Sequence, residues 1–100
     1  MNTLEGFALA EERVKLAREF DKLSDELADI LTVKAAKWIM FRADPECKSD
    51  TAAEKRWSVT PEGLREMRIR LKMKAYEKQL SSMGTLLRAM EMEWKHSNIV

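Results

Sequence analysis

The side chains that most often carry chemistry are few in this chain and stand far apart. His96 is the only histidine and Cys47 the only cysteine. His96 lies near the C-terminal end with no metal ligand or nucleophile at a useful spacing, so it reads as a surface residue. Cys47, between Glu46 and Lys48, reads as a free surface thiol rather than a nucleophile or a ligand. Carboxylates are plentiful, but Glu11-Glu12 and Asp25-Glu26-Asp29 alternate with Lys and Arg at helical spacing. That pattern describes a solvated helix face better than an acid–base pair. Gly6, Gly63 and Gly84 stand alone, so no glycine-rich loop is available to cradle a phosphate. These features argue against an enzyme. No catalytic residue, metal, cofactor or small-molecule substrate is expected.

Cationic side chains offer a different chemistry. Arg65, Arg68, Arg70, Lys72, Lys74 and Lys78 form the densest basic stretch, opposed only by Glu66 and Glu77. Arg65, Arg68, Arg70, Lys72 and Lys74 are therefore candidates for contact with nucleic-acid phosphates or with an acidic protein partner. Against this stands ordinary flanking charge that solvates a helix and pairs with nearby acids. Lys72 and Lys74 also point to different helix faces. The whole chain is nearly neutral, with 18 basic and 17 acidic residues in 100. Its charge is unevenly placed: residues 1–30 hold eight acids and four bases, residues 31–80 twelve bases and seven acids.

Long helices must position these residues. Leu16, Phe20, Leu23, Leu27 and Ile30 step by four and three, a heptad seam. Leu9 shares its register, and Arg13 occupies the intervening seam position. Beyond Ile30 the register would place Lys34 and Lys37 in the seam. The apolar set moves instead to Leu31, Ala35, Trp38 and Phe41, so the packing face is expected to rotate there. Thr3 is a candidate cap, and Asp44-Pro45 ends the helix because a residue before proline is pushed out of helical conformation. Helix 1 is thus expected over about residues 4–43. Ser49-Asp50-Thr51-Ala52-Ala53-Glu54 reads as a second helix start, with Thr51 and Glu54 spaced as a capping box and Trp57 as anchor. That short helix is expected over about 51–58. Thr60-Pro61-Glu62 supplies a hydroxyl cap, a proline at the first helical position and an acid at the positive end. A third helix follows over about 61–95.

The third helix carries the cleaner seam: Ile69, Met73, Tyr76, Leu80, Met83, Leu87, Met90 and Trp94. Leu64, Met67, Leu71, Ala75 and Leu86 add a second apolar row. Met67, Met73, Met83 and Met90 read as packing residues, whereas Met40 beside Trp38 and Met92 beside Trp94 suit a partner-binding surface. Gly84 lies within the pattern, either to admit a close crossing or as a tolerated surface glycine. The expected fold is all-α, one helical domain over residues 1–100. It is an antiparallel hairpin of two long helices with a short connecting helix. At about 1.5 Å per residue each long helix runs roughly 50–60 Å. Both apolar faces are broader than one neighbour can cover, which predicts self-association, a dimer first, into a bundle or coiled-coil assembly. The Ile69-to-Trp94 seam is its candidate interface.

Composition bounds the setting. At 45% apolar and 35% charged the chain is too apolar for disorder and too polar for a membrane protein. Its longest apolar run, Trp38-Ile39-Met40-Phe41, is far short of a membrane span. Glu5, Glu11, Glu12, Arg13 and Lys15 argue against a secretory signal, and one cysteine cannot staple a fold. A cytoplasmic location is expected, with no membrane partner.

Trp57-Ser58-Val59-Thr60-Pro61-Glu62-Gly63, followed by Leu71-Lys72, Glu77-Lys78-Gln79-Leu80-Ser81 and Leu86-Leu87-Arg88, resembles a pattern in small helical accessory proteins of tailed bacteriophages. Those proteins are similar in length, begin with a charged helix and end in a Leu-Arg segment followed by Glu. The resemblance covers about residues 50–95. That group has no assigned activity, so no functional residue carries over. It implies an accessory protein acting in the cytoplasm of an infected bacterium. The favoured reading is a non-enzymatic interaction protein that binds and modulates, by inhibition, a host defence or nucleic-acid-processing protein. Direct nucleic-acid binding through the basic residues, and a structural or assembly role in the virion, are the alternatives.

Overall fold

The computed structural model describes residues 3–98, with side chains over 4–96. It contains three α-helices: α1 Thr3–Ala43, α2 Asp50–Ser58 and α3 Pro61–Asn98. No strand occurs among the described residues. Two compact units share the long helices. One comprises Met1–Asp21 and Lys74–Val100, the other Lys22–Met73.

The second unit holds three helices and the core. Leu23, Ile30, Cys47, Ala53, Trp57 and Ile69 are buried there. Trp57 is 1% exposed, and burying a large apolar side chain contributes about 1.5–3 kcal/mol. Lys37 pairs with Glu62 and Lys34 with Glu66. A later residue of α1 therefore meets an earlier one of α3, and the two helices run antiparallel here. In the first unit α1 and α3 have only each other. Leu9, Leu16, Phe20, Leu80, Met83 and Leu87 remain half-buried, and Gly84 is buried.

The seam of α1 does not rotate after Ile30. Lys34, Lys37 and Phe41 continue the heptad on the inward side with Trp38 half-buried beside them, whereas Leu31 and Ala35 of the expected set are exposed. The lysines stay because α2 and α3 supply carboxylates to receive them. Arg13, the other cation at a seam position, reaches over Gly84. A Cβ on Gly84 would stand 3.1 Å from its Nη2 atom. The glycine thus admits a close approach, and what approaches is a guanidinium.

The connector is fixed by its own polar groups. Asp44 Oδ1 accepts a hydrogen bond from the Glu46 amide at 2.9 Å, and Asp44 Oδ2 pairs with Arg56 Nη1 at 2.7 Å. The Glu46 amide and then the Arg56 guanidinium hold the Asp44 carboxyl below its usual value. Arg42 Nη1 donates to the Cys47 carbonyl at 3.1 Å. Cys47 is buried rather than on the surface, because this turn folds it inward, and it is unpaired. Ser49, not Thr51, caps α2: its hydroxyl accepts from the Ala52 amide at 3.1 Å. Thr51 lies inside the helix. The cap expected of Thr3 falls on a side chain outside the described ones.

Thr60 caps α3 as its position requires. Its hydroxyl accepts from the Gly63 amide at 3.0 Å and donates to the Trp57 carbonyl at 2.7 Å. This turns the chain so tightly that a Cβ on Gly63 would collide with the Trp57 carbonyl oxygen and lie 2.8 Å from its carbon. Only glycine fits there.

Candidate functional site

The three helices of the second unit meet in a polar knot. Trp57 Nε1 donates to Glu66 Oε1 at 3.0 Å, Arg70 Nε donates to Glu66 Oε2 at 3.0 Å, and Lys34 Nζ lies 3.1 Å from Glu66 Oε1. Lys34 also pairs with Glu54 at 3.2 Å and lies 5.8 Å from the ring centres of Trp38 and Trp57. Glu66 is a buried acid within this knot. Burial pushes its carboxyl up, but Arg70, Lys34 and Trp57 together outweigh that and hold it below the ordinary value. Every donor aimed at the carboxylate is matched, so the knot reads as structural. Spacing alone hides it, because Trp57 and Glu66 sit on different helices and join only through the Thr60 corner.

The five basic candidates are partly absorbed by this architecture. Arg70 is bound to Glu66, and Arg65 lies 3.7 Å from Glu26 with both side chains exposed. Arg68, Lys72 and Lys74 are exposed and form no ion pair among the described residues. By helical spacing Arg65, Arg68 and Lys72 share one flank of α3, and Arg70 and Lys74 lie on another. They do not make one stripe.

The candidate association seam is largely occupied within the chain. Ile69 is buried and Met73, Tyr76, Leu80, Met83, Leu87 and Met90 are half-buried, whereas Trp94 is 61% exposed. The second row is what remains uncovered: Leu64, Met67, Leu71, Ala75 and Leu86 are all exposed. Met67 is therefore a surface residue and not core filler. Leu64, Met67 and Leu71, spaced three and four apart, line the side of α3 opposite Ile69, with Arg68 and Lys72 beside them.

Comparison with protein-family models gives no match, and comparison with curated proteins and with solved structures gives none either. Among the described residues no His, Cys, Asp and Glu side chains gather as a metal site would require. No described helix is long and apolar enough to cross a membrane. His96 is exposed. The exposed face of α3, apolar in the middle and cationic at its edge, is the surface best equipped to recognise something.

Proposed function

We propose that this chain is a non-enzymatic, self-associating helical protein that binds and inhibits another protein, the target offering an acidic, partly apolar surface. The observation that carries this reading is the outer face of α3. Leu64, Met67 and Leu71 are 43, 52 and 62% exposed, and the neighbouring Arg68 and Lys72 form no ion pair among the described residues. Exposed apolar residues at one-turn spacing are what an interaction helix presents. Unpaired cations at the rim speed and orient the encounter. With the phage-like pattern around Trp57-to-Gly63, the target class that fits is a host defence or nucleic-acid-processing protein.

Nucleic-acid binding is the second reading, favoured by the unpaired Arg68, Lys72 and Lys74. It is weakened by the internal pairing of Arg65 and Arg70 and by the split of the five cations between two flanks. Affinity capture from host lysate, with and without nuclease, separates the two. The protein-binding reading expects a partner that survives nuclease and is lost with Leu71→Glu. A catch that vanishes with nuclease, or binding indifferent to Leu71→Glu, overturns it.

A further inference from the structure

The outer side of α3 also carries information on the form of its partner. Between Pro61 and Met73 the helix has two acids, Glu62 and Glu66. Both are spent inside the chain, Glu62 on Lys37 and Glu66 on Lys34, Arg70 and the Trp57 indole. Of the four cations in the same stretch, Arg70 answers Glu66 and Arg65 lies 3.7 Å from Glu26. Arg68 and Lys72 are left exposed, with no ion pair among the described residues. They stand about one turn apart, about 6 Å along the axis, on one border of the Leu64-Met67-Leu71 row. What the fold leaves uncovered is an apolar ridge about 10 Å long with uncompensated positive charge beside it.

We infer that the partner of this face is a single amphipathic α-helix whose apolar stripe is bordered by Asp or Glu one turn apart. This rests on the protein-binding reading above and names the form of its target. Charge complementarity selects the acids, because Glu62 and Glu66 are already engaged and the carboxylates that answer Arg68 and Lys72 must come from the partner. Spacing selects the helix. A helix repeats its side chains every three and four residues, so acids at that interval match the separation of Arg68 and Lys72. Its apolar row then lies along Leu64, Met67 and Leu71. Ridges packing into grooves require no cavity in α3 for this contact. The middle of the face argues against a nucleic acid, whose phosphates would lie over two leucines and a methionine. Three apolar side chains over two turns likewise give a bilayer little area to hold.

Fluorescence anisotropy on the full chain with labelled synthetic helices tests this. One probe is a peptide of about four heptads with leucine at three-and-four spacing, glutamate on both borders and alanine elsewhere, so that it is helical alone. The other carries lysine in place of every glutamate. The glutamate helix is expected to bind and the lysine helix not. Arg68→Glu combined with Lys72→Glu should weaken the glutamate helix about tenfold and create binding of the lysine helix, with helicity of the chain unchanged by circular dichroism. That gain is a result a misfolded variant cannot give. Leu71→Glu should remove both. Equal binding of the two helices, binding of neither, or a glutamate-helix affinity indifferent to the double variant overturns the proposal. So does tighter binding to anionic phospholipid vesicles or duplex DNA that the double variant abolishes. A nuclease-resistant partner lost with Leu71→Glu, alongside a glutamate helix that does not bind, would leave the protein-binding reading standing and overturn the helical partner alone.

Discussion

Replacing Glu66 tests the central claim about what holds the three helices of the second unit together. Its carboxylate receives Trp57 Nε1 and Arg70 Nε at 3.0 Å each and lies 3.1 Å from Lys34 Nζ, with only 11% of its side chain exposed. Glu66→Gln keeps the shape and one acceptor for the indole. It removes the charge that two cations share and can turn an amide donor toward one of them. Lys34 retains Glu54, and the half-exposed Arg70 can return to water. The loss is therefore less than the 3–5 kcal/mol of a fully buried broken pair, at about 2 kcal/mol. Glu66→Leu removes the indole's acceptor as well. An unsatisfied buried N–H costs about 1–3 kcal/mol more, which brings this variant to about 3–5 kcal/mol. Urea unfolding followed by far-ultraviolet circular dichroism would read both values. A double-mutant cycle with Trp57→Phe would isolate the indole contribution. Replacing whole buried ion networks by apolar residues can stabilise a protein, but here Lys34 and Arg70 remain. A Glu66→Leu protein as stable as wild type would show that both cations escape to solvent without cost, and the structural reading of the knot would be wrong.

Four further outcomes follow from the same geometry. Gly63→Ala should destabilise by about 2–4 kcal/mol in urea unfolding, because its Cβ meets the fixed backbone of Trp57 and Ser58. Gly84→Ala should be neutral or stabilising by up to about 1 kcal/mol, since its Cβ meets only the movable end of Arg13 while helix propensity improves. Ser49→Ala should cost about 1 kcal/mol through the lost cap of α2, and Thr51→Ala much less. Acid should weaken the fold in a defined direction. Asp44, Glu62 and Glu66 all lie below their ordinary values, so the unfolded chain binds protons more readily. Their stabilisation is complete above about pH 4–5 and is lost as pH falls through the lowered values. Unfolding midpoints that rise between pH 5 and pH 3 would contradict this.

The helices were legible because their signals are local. Heptad spacing, Asp44-Pro45 and Thr60-Pro61-Glu62 each act within a few residues, and α1 and α3 begin and end close to where these place them. What spacing could not show were contacts between distant segments. Lys34 and Lys37 looked like reasons for the seam to turn, because a lone lysine in a seam is costly. Their partners Glu54, Glu62 and Glu66 arrive from about twenty to thirty residues away. Cys47 looked exposed by its charged neighbours, and the Asp44 turn buries it. Glu66 looked like one of two acids in a basic run, and it is the group on which Trp57, Arg70 and Lys34 converge. The exposed row of α3 shows the converse, because a wide apolar face in sequence does not say which part the fold covers.

The seam lysines also explain why α1 and α3 pair in one register when a heptad repeat is compatible with several. In the observed alignment Lys34 faces Glu66 and Lys37 faces Glu62. Sliding α3 by one heptad in one direction would bring Met73 and Ile69 opposite these lysines. That preserves a plausible apolar seam but takes Lys34 from Glu66 and Lys37 from Glu62. Sliding it the other way would place Val59 opposite Lys34, beyond the end of the helix. Each slip exchanges two charge pairs for unpaired charges, chiefly at the buried Glu66, against an otherwise nearly degenerate repeat. Replacing Lys34 and Lys37 by leucine would increase apolar burial while removing that discrimination. The expected consequence is a protein that keeps its helicity but loses its single packing arrangement, visible as broadened amide signals in NMR spectra. Sharp, singly dispersed signals from the double variant would show that the Thr60 corner alone sets the register.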